Sequence, residues 1–145
     1  MMALLREYTS IRSFRLRILG SGSAAGLPGF AEHLGFVSEE EKQLELASCT
    51  ALIVPSEMES FSIVTLEAMA AETPVIVNGR NPVLAGHCRR ANCGIVYHNA
   101  AEFLEGLERA VQGLSRETLE AGRRYVETHY SRDAVRNRLL QALDL

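Results

Sequence analysis

The sequence predicts an α/β fold, a doubly wound parallel sheet flanked by helices. Short apolar segments bounded by glycine, proline or asparagine alternate along the chain with longer segments of helical periodicity. Short, continuously apolar segments are typical of strands buried on both faces. Their alternation with helices favours parallel strands. Because ligands of such sheets lie beyond the carboxyl ends of the strands, we expect the functional residues in the turns that follow strands.

Length and composition indicate one globular domain. The chain has 145 residues, 47% of them hydrophobic, and a net charge of −3 that gives no reason to expect nucleic-acid binding. Three cysteines without a C-x-x-C pair are typical of reduced thiols in a cytoplasmic protein. The spacing of His87, Cys88, Cys93 and His98 is not a zinc pattern, so we expect buried thiols, surface imidazoles and no metal. No apolar segment is long enough for a membrane span or an export signal.

The first third of the chain predicts a short helix, two strands and a second helix. The first helix lies within residues 1–13. Basic and apolar residues alternate over Arg15–Leu19, which favours a strand near the edge of a sheet, and a second strand is predicted over His33–Val37. Ser38 begins a capping box with acid in the first turn, and this predicts a helix to about Ser48.

The loop after the first strand contains a weak dinucleotide-binding motif. Gly20–Gly26 fits the spacing G-x-G-x-x-A, and Glu39 lies about where that fingerprint requires an acid. The fingerprint also needs a helix that begins on the glycines, and Pro28 and Gly29 would break it. We therefore expect a turn here, and a dinucleotide-binding module is the third alternative for the function.

The central segment predicts a strand, a turn and a helix that together form a candidate site. The strand is predicted over Ala51–Val54, the turn over Pro55–Ser62 and the helix over Ile63–Glu72. Two carboxylates, Glu59 and Glu67, bracket the start of this helix. The first amides of a helix have no intrahelical partner and attract anions, so we expect an anionic ligand here.

The rest of the chain predicts two further strands and four helices. The strands are predicted over Val75–Val77 and Ile95–Tyr97, and the helices over Val83–Ala91, from Asn99 to about Leu114, from Ser115 and from about Arg132. Apolar residues share one face of the last helices. We expect these faces to belong to the core or to pack against a further domain; in the last helix they are Val135, Leu139, Leu140 and Leu143.

The segment Glu59–Val75 resembles the signature E-G-F-G-x-x-x-x-E-A-M-A-x-G-x-P-V of the retaining glycosyltransferases of GT-B family 4. Ile18–Gly22, Leu34–Ser38 and Leu52–Ser56 are similar to other segments of that family in the same order. The resemblance implies that residues 1–145 form a single domain, the C-terminal, nucleotide-sugar-binding, Rossmann-like half of a GT-B fold. It also implies that the N-terminal acceptor domain and the first strand of this domain are absent.

The resemblance assigns roles to the residues of the central turn. It implies that Glu59 is catalytic and binds hydroxyls of the donor sugar, while Glu67 accepts a hydrogen bond from the ribose. The amides of Phe61, Ser62 and Ile63 would face the sugar and the diphosphate, and Ser60 would also belong to the donor-binding residues. Gly22 and Arg80 are candidate phosphate contacts. The substrate would be a UDP- or GDP-hexose, and we expect no metal or other cofactor.

Departures from the signature leave alternatives open. Ser60, Ser62 and Glu72 replace glycines, and the chain lacks the Arg and Lys that grip the diphosphate in the family. We therefore expect a donor-binding domain that is inactive in isolation, so its status as an enzyme is open. The expected partners are a nucleotide sugar and the missing domain or a partner chain, with a homo-oligomer possible. The alternative is a non-catalytic interaction or scaffold domain of the same fold.

Overall fold

The computed structural model describes residues 1–143 as an α/β fold in which every strand pair is parallel, as predicted. The elements are α1 (Met2–Tyr8), β1 (Leu16–Leu19), β2 (Ala31–Gly35), α2 (Glu39–Ser48), β3 (Leu52–Val54), α3 (Ile63–Ala70), β4 (Val75–Asn78), α4 (Pro82–Ala91), β5 (Ile95–Tyr97), α5 (Ala100–Gln112), α6 (Arg116–Tyr130) and α7 (Arg132–Ala142). In this part of the chain no helix is long and apolar enough to cross a membrane. The chain divides into two compact units, one of residues 1–45 and one that begins at Leu46.

The first unit contains a two-stranded parallel sheet, with Leu16 of β1 opposite Ala31 of β2. The second strand lies two residues earlier than predicted. Gly35 has a φ of +69°, which ends the extended backbone, and Phe36 beyond it is 86% exposed. The predicted turn over Gly20–Gly26 is confirmed, because no helix begins on these glycines.

The predicted capping box of α2 is also confirmed in the first unit. The Glu41 amide donates to Ser38 Oγ at 3.1 Å, and the Ser38 amide donates to Glu41 Oε2 at 2.8 Å. Hydrogen bonding of the Glu41 carboxylate to the Ser38 amide, and then to the Ser38 side chain, lowers the pKa of the carboxyl below its usual range. The helix therefore begins where the sequence predicts.

The second unit is built on a parallel sheet of order β3-β4-β5, in which Ile76 pairs with Ile53 on one side and Ile95 on the other. All residues of the central strand, β4, are buried. Leu52 and Ile53 of β3 are only half-buried, because β3 has one neighbouring strand in this sheet. The sequence pattern for a strand buried on both faces therefore fits β4 and not β3.

Helix α3 ends at Ala70, two residues before the predicted end. Glu72 has a φ of +57°, the Glu72 amide donates to the Met69 carbonyl at 3.2 Å, and the Thr73 amide donates to the Ala68 carbonyl at 2.9 Å. These two bonds form a Schellman motif, in which glycine is the usual residue at the left-handed position. Glu72 occupies that position and pairs with Arg123 of α6 at 2.7 Å.

Helices α3, α4 and α6 contribute most of the buried cluster of the second unit, which includes Leu66, Met69, Leu84, Cys88 and Tyr125. Phe103 and Leu107 of α5 are also buried, as predicted for the core face of that helix. Of the two roles predicted for the apolar face of the last helix, a place in the core is wrong, and packing against a further domain stays a prediction. Val135, Leu139 and Leu143 are each about half exposed, at 47%, 59% and 57%, and α7 has no buried residue.

Candidate functional site

The candidate site is the turn between β3 and α3, which the neighbouring strand β4 holds in place. The Asn78 side chain at the end of β4 donates from Nδ2 to the Pro55 carbonyl at 3.0 Å, and its Oδ1 accepts from the Arg80 amide at 3.0 Å. The Arg80 guanidinium reaches Glu57 in the turn at 3.2 Å. The structure therefore brings Arg80 to the same sheet edge as the predicted donor-binding turn, since parallel strands end there together.

Ser62 gives the turn its shape. Its backbone lies in the left-handed region, with φ 59° and ψ 67°, although its side chain makes this conformation unfavourable by about 1 kcal/mol or more. The Ser62 side chain is 7% exposed, and Oγ is 2.8 Å from Oγ1 of Thr65, which is fully buried. Ser62 stands where the family signature has glycine, so the turn keeps a glycine-like backbone without a glycine.

The first turn of α3 offers backbone amides to a ligand. Ser62 is the N-cap residue, but its side chain makes no capping hydrogen bond. The Ile63 and Val64 amides belong to the first turn, where no intrahelical acceptor exists. Ile63 is 61% exposed and Phe61 43% exposed, so the helix start is accessible. This end of the helix is suited to a phosphate or another anion.

The two carboxylates predicted to contact the donor lie on either side of this helix start. Glu59 is half-buried in the turn, and Ser60 next to it is exposed. Glu67 lies four residues after Ile63, on the same face of α3. It is half-buried, and its Oε2 atom is buried. A carboxylate in each position can accept hydrogen bonds from sugar hydroxyls.

Gly22 belongs to the first unit, in the loop after β1, with a φ of +156°. Its part in phosphate binding stays a prediction. Among residues 1–143, no group of three or more His, Cys, Asp and Glu side chains could hold a metal ion.

Sequence reasoning missed the role of His87 in this site. The imidazole was expected at the surface, as His98 is, but only 2% of His87 is exposed. Its Nε2 lies 2.9 Å from the Phe61 carbonyl, and its Nδ1 lies 3.0 Å from the Tyr125 hydroxyl. Burial lowers the His87 pKa, and this outweighs the hydrogen bond to the Phe61 carbonyl, which raises it. The residues next to His87 in the sequence do not indicate its burial, because its hydrogen-bond partners Phe61 and Tyr125 are 26 and 38 residues away.

The predicted burial of the two neighbouring thiols is confirmed. Cys88 and Cys93 are each 4% exposed. Burial raises the pKa of the Cys88 thiol to about 12 and also raises that of Cys93. Both side chains are therefore neutral parts of the core, and neither is suited to nucleophilic chemistry.

Comparison with known proteins agrees with the geometry. Residues 11–127 match the sequence profile of the family described as "Glycosyl transferases group 1". The solved structure of WaaG, described as a glycosyltransferase involved in lipopolysaccharide biosynthesis, is similar in fold, with a TM-score of 0.56 and 17% sequence identity. The similarity covers 92% of this chain and 47% of the WaaG chain, so this chain spans about half the length of that protein.

Proposed function

This chain belongs to the family of glycosyl transferases group 1, and we propose that it is the nucleotide-sugar-binding domain of a retaining enzyme of that family. In this proposal a hexose is transferred from a UDP- or GDP-sugar, and the chain alone is inactive. The observation that carries the proposal is the accessible start of α3, whose backbone amides lie between Glu59 and Glu67 in the sequence. No other helix start in the described residues combines this setting with the family signature.

Each part of the turn has a separate task in this proposal. Glu59 binds hydroxyls of the donor sugar, and Glu67 binds the ribose. The amides of Ser62, Ile63 and Val64 bind the diphosphate, and the α3 dipole offsets the charge that develops as the diphosphate leaves. This arrangement needs no metal ion, so EDTA should leave donor binding unchanged.

Arg80 supplies a cation to the diphosphate in the same proposal. Arg80 contacts the turn through the 3.2 Å ion pair with Glu57. Both side chains are well exposed, at 69% and 64%, so the pair is weak and the guanidinium can exchange partners. A diphosphate with two formal charges would compete well for it.

Ligand-observed NMR with UDP-glucose and GDP-mannose tests the proposal. We expect weak binding, in the millimolar range, of at least one of the two. Glu67→Ala should abolish the signal, because the ribose loses its acceptor. Glu105→Ala, which removes an exposed glutamate from the middle of α5, is the matched control and should bind like the original chain. If neither nucleotide sugar contacts the chain, the proposal is wrong.

A non-catalytic interaction domain is the second candidate, and the exposed apolar face of α7 favours it. Val135, Leu139 and Leu143 are spaced four residues apart and are about half exposed. An exposed apolar face of this kind is typical of a contact surface. Light scattering after size-exclusion chromatography, together with the nucleotide-sugar titration, tests this candidate. Self-association that Leu139→Glu abolishes, in a chain that binds neither nucleotide sugar, would support it. Binding of a nucleotide sugar, or a monomer at all concentrations, would oppose it.

A further inference from the structure

A polar network centred on the buried side chains of His87 and Tyr125 lies directly behind the candidate site. It joins the Phe61 carbonyl in the turn to side chains of α4 and α6, and its members are Phe61, His87, Arg90, Tyr125 and Tyr130. Arg90 Nε is 3.0 Å from the Tyr125 hydroxyl, and the Tyr125 and Tyr130 hydroxyls are 3.1 Å apart. His87 adds its hydrogen bonds to the Phe61 carbonyl and the Tyr125 hydroxyl. The network therefore links the turn, α4 and α6.

The chemistry of the groups fixes the direction of these hydrogen bonds. The Phe61 carbonyl can only accept, so His87 Nε2 carries the proton and donates to it. The Arg90 guanidinium can only donate, and it lies near both the Tyr125 hydroxyl and His87 Nδ1, at 3.0 and 3.4 Å. His87 Nδ1 is therefore the acceptor, and the ring is neutral. Tyr125 then donates to Nδ1 and accepts from Arg90.

Gly86 and Phe61 both pack against this network. A Cβ atom on Gly86 would lie 2.9 Å from Arg90 Nη1, so the Arg90 side chain lies back along α4 over Gly86, towards Tyr125. The Phe61 ring is also held, by edge contacts with His87 and Tyr130 at centroid distances of 5.8 and 5.5 Å.

Holding the Phe61 carbonyl also fixes the next amide. The carbonyl of Phe61 and the N–H of Ser62 belong to one planar trans peptide, in which they point in opposite directions. His87 holds the carbonyl towards the protein interior. The Ser62 N–H therefore points the opposite way, away from His87.

We propose that His87 is a positioning residue that turns the Ser62 amide towards the diphosphate of the donor. This inference rests on the proposed function, because it assigns a task to the same site. Tyr125 and Arg90 act through His87: they hold Nδ1 as an acceptor and thereby keep the proton on Nε2. The nucleoside part of the donor does not depend on this amide.

Two variants of His87 test the proposal by NMR titration with UDP, GDP, uridine and guanosine. His87→Leu removes the hydrogen bond to Phe61, and His87→Gln retains a donor close to the position of Nε2. We expect His87→Leu to bind the diphosphates about tenfold more weakly, as for the loss of one charge-assisted hydrogen bond, with nucleoside binding unchanged. His87→Gln should restore most of the diphosphate affinity.

Equal losses of affinity for nucleosides and diphosphates in His87→Leu would show a merely structural role and overturn the proposal. A Leu variant that binds UDP and GDP like the original chain would overturn it as well.

If the original chain binds neither diphosphate, the proposed function fails, and NMR spectra of the ligand-free chain decide the orientation of the Ser62 amide. A neutral His87 with the proton on Nε2 and rapid hydrogen exchange of the Ser62 amide support that orientation. A proton on Nδ1, or a strongly protected Ser62 amide, contradicts it.

Discussion

Ser62 and Glu72 adopt a left-handed backbone conformation that is unfavourable for residues other than glycine. Both replace glycines of the family signature, and both adopt positive φ, at 59° and 57°. Each side chain has a partner in return: Ser62 bonds to Thr65, and Glu72 pairs with Arg123. The sequence therefore suggests a loss of glycine geometry at the site, whereas the structure keeps that geometry at the cost of backbone strain.

Two substitutions at Ser62 separate the strain from the hydrogen bond. Both Ser62→Ala and Ser62→Gly remove the bond to Thr65, but only glycine relieves the left-handed backbone. We expect the alanine variant to be less stable than the glycine variant by about 1 kcal/mol, measured by urea denaturation. An alanine variant as stable as the glycine variant would mean that the backbone at Ser62 is not strained.

The neutral state of His87 makes the free energy of unfolding depend on pH. Burial lowers the His87 pKa from its ordinary value of 6.5, so below that pH the unfolded chain binds a proton that the folded chain does not. This contribution to the unfolding free energy is fully present above pH 6.5. It is lost progressively as the pH falls from 6.5 to the lower pKa of the folded state. Glu41 and Glu120, whose pKa values are lowered from 4.5, contribute only in more acidic solution.

His87→Gln should therefore flatten the dependence of the unfolding free energy on pH between about 7 and 5. Urea denaturation of the original chain and of this variant, at several pH values in that range, measures the difference. The same slope for both proteins would show that His87 is not held neutral.

At the scale of elements, the helix ends were predictable where side chains cap them. The predicted caps Ser38, Asn99 and Ser115 place the starts of α2, α5 and α6 within about one residue of the structure. Helices α4 and α7 also begin close to their predicted starts, and the structure shows that Asn81 and Ser131 cap them. The ends set by the backbone were not predictable: Gly35 ends β2 early, and Glu72 ends α3 early. Positive φ at a glutamate has no sequence signal.

The cap of α4 matters most among these, because this helix carries His87. Asn81 is 1% exposed, and its Oδ1 accepts from the Val83 amide at 2.9 Å and the Leu84 amide at 3.1 Å. Asn81→Ala leaves these amides without an acceptor and should lower the unfolding free energy by about 2 kcal/mol. The exposed cap of α5 is the comparison, and Asn99→Ala should cost about 1 kcal/mol or less.

Thermal and urea denaturation measure both cap variants. Asn81→Asp keeps the acceptor and adds a negative charge at a helix start, so it should stay within about 0.5 kcal/mol of the original chain. Equal losses for the alanine variants at Asn81 and Asn99 would contradict the importance of burial at the α4 cap.

At the scale of the whole molecule, the fold class and the family could be predicted from local patterns, and the contacts behind the site could not. The alternation of strands and helices and the Glu59–Val75 signature are both contiguous in the sequence. The His87 network is not, because it joins residues 26 and 38 positions apart in the chain. The sequence also left two roles open for the apolar face of α7, since an apolar helix face does not indicate what covers it.

The family match over residues 11–127 includes parts of both compact units. WaaG is about twice as long as the aligned region. Donor binding is the function that this chain can be tested for directly.

The most direct test of donor binding at α3 is a titration of the ¹⁵N-labelled chain with UDP and GDP, followed in amide spectra. We predict that the largest shift changes fall on the amides of Ser62, Ile63 and Val64, with smaller changes around Glu67 and Arg80. Changes confined to the Gly20–Gly26 loop, or no changes with either nucleotide, would contradict the central claim that the start of α3 binds the donor diphosphate.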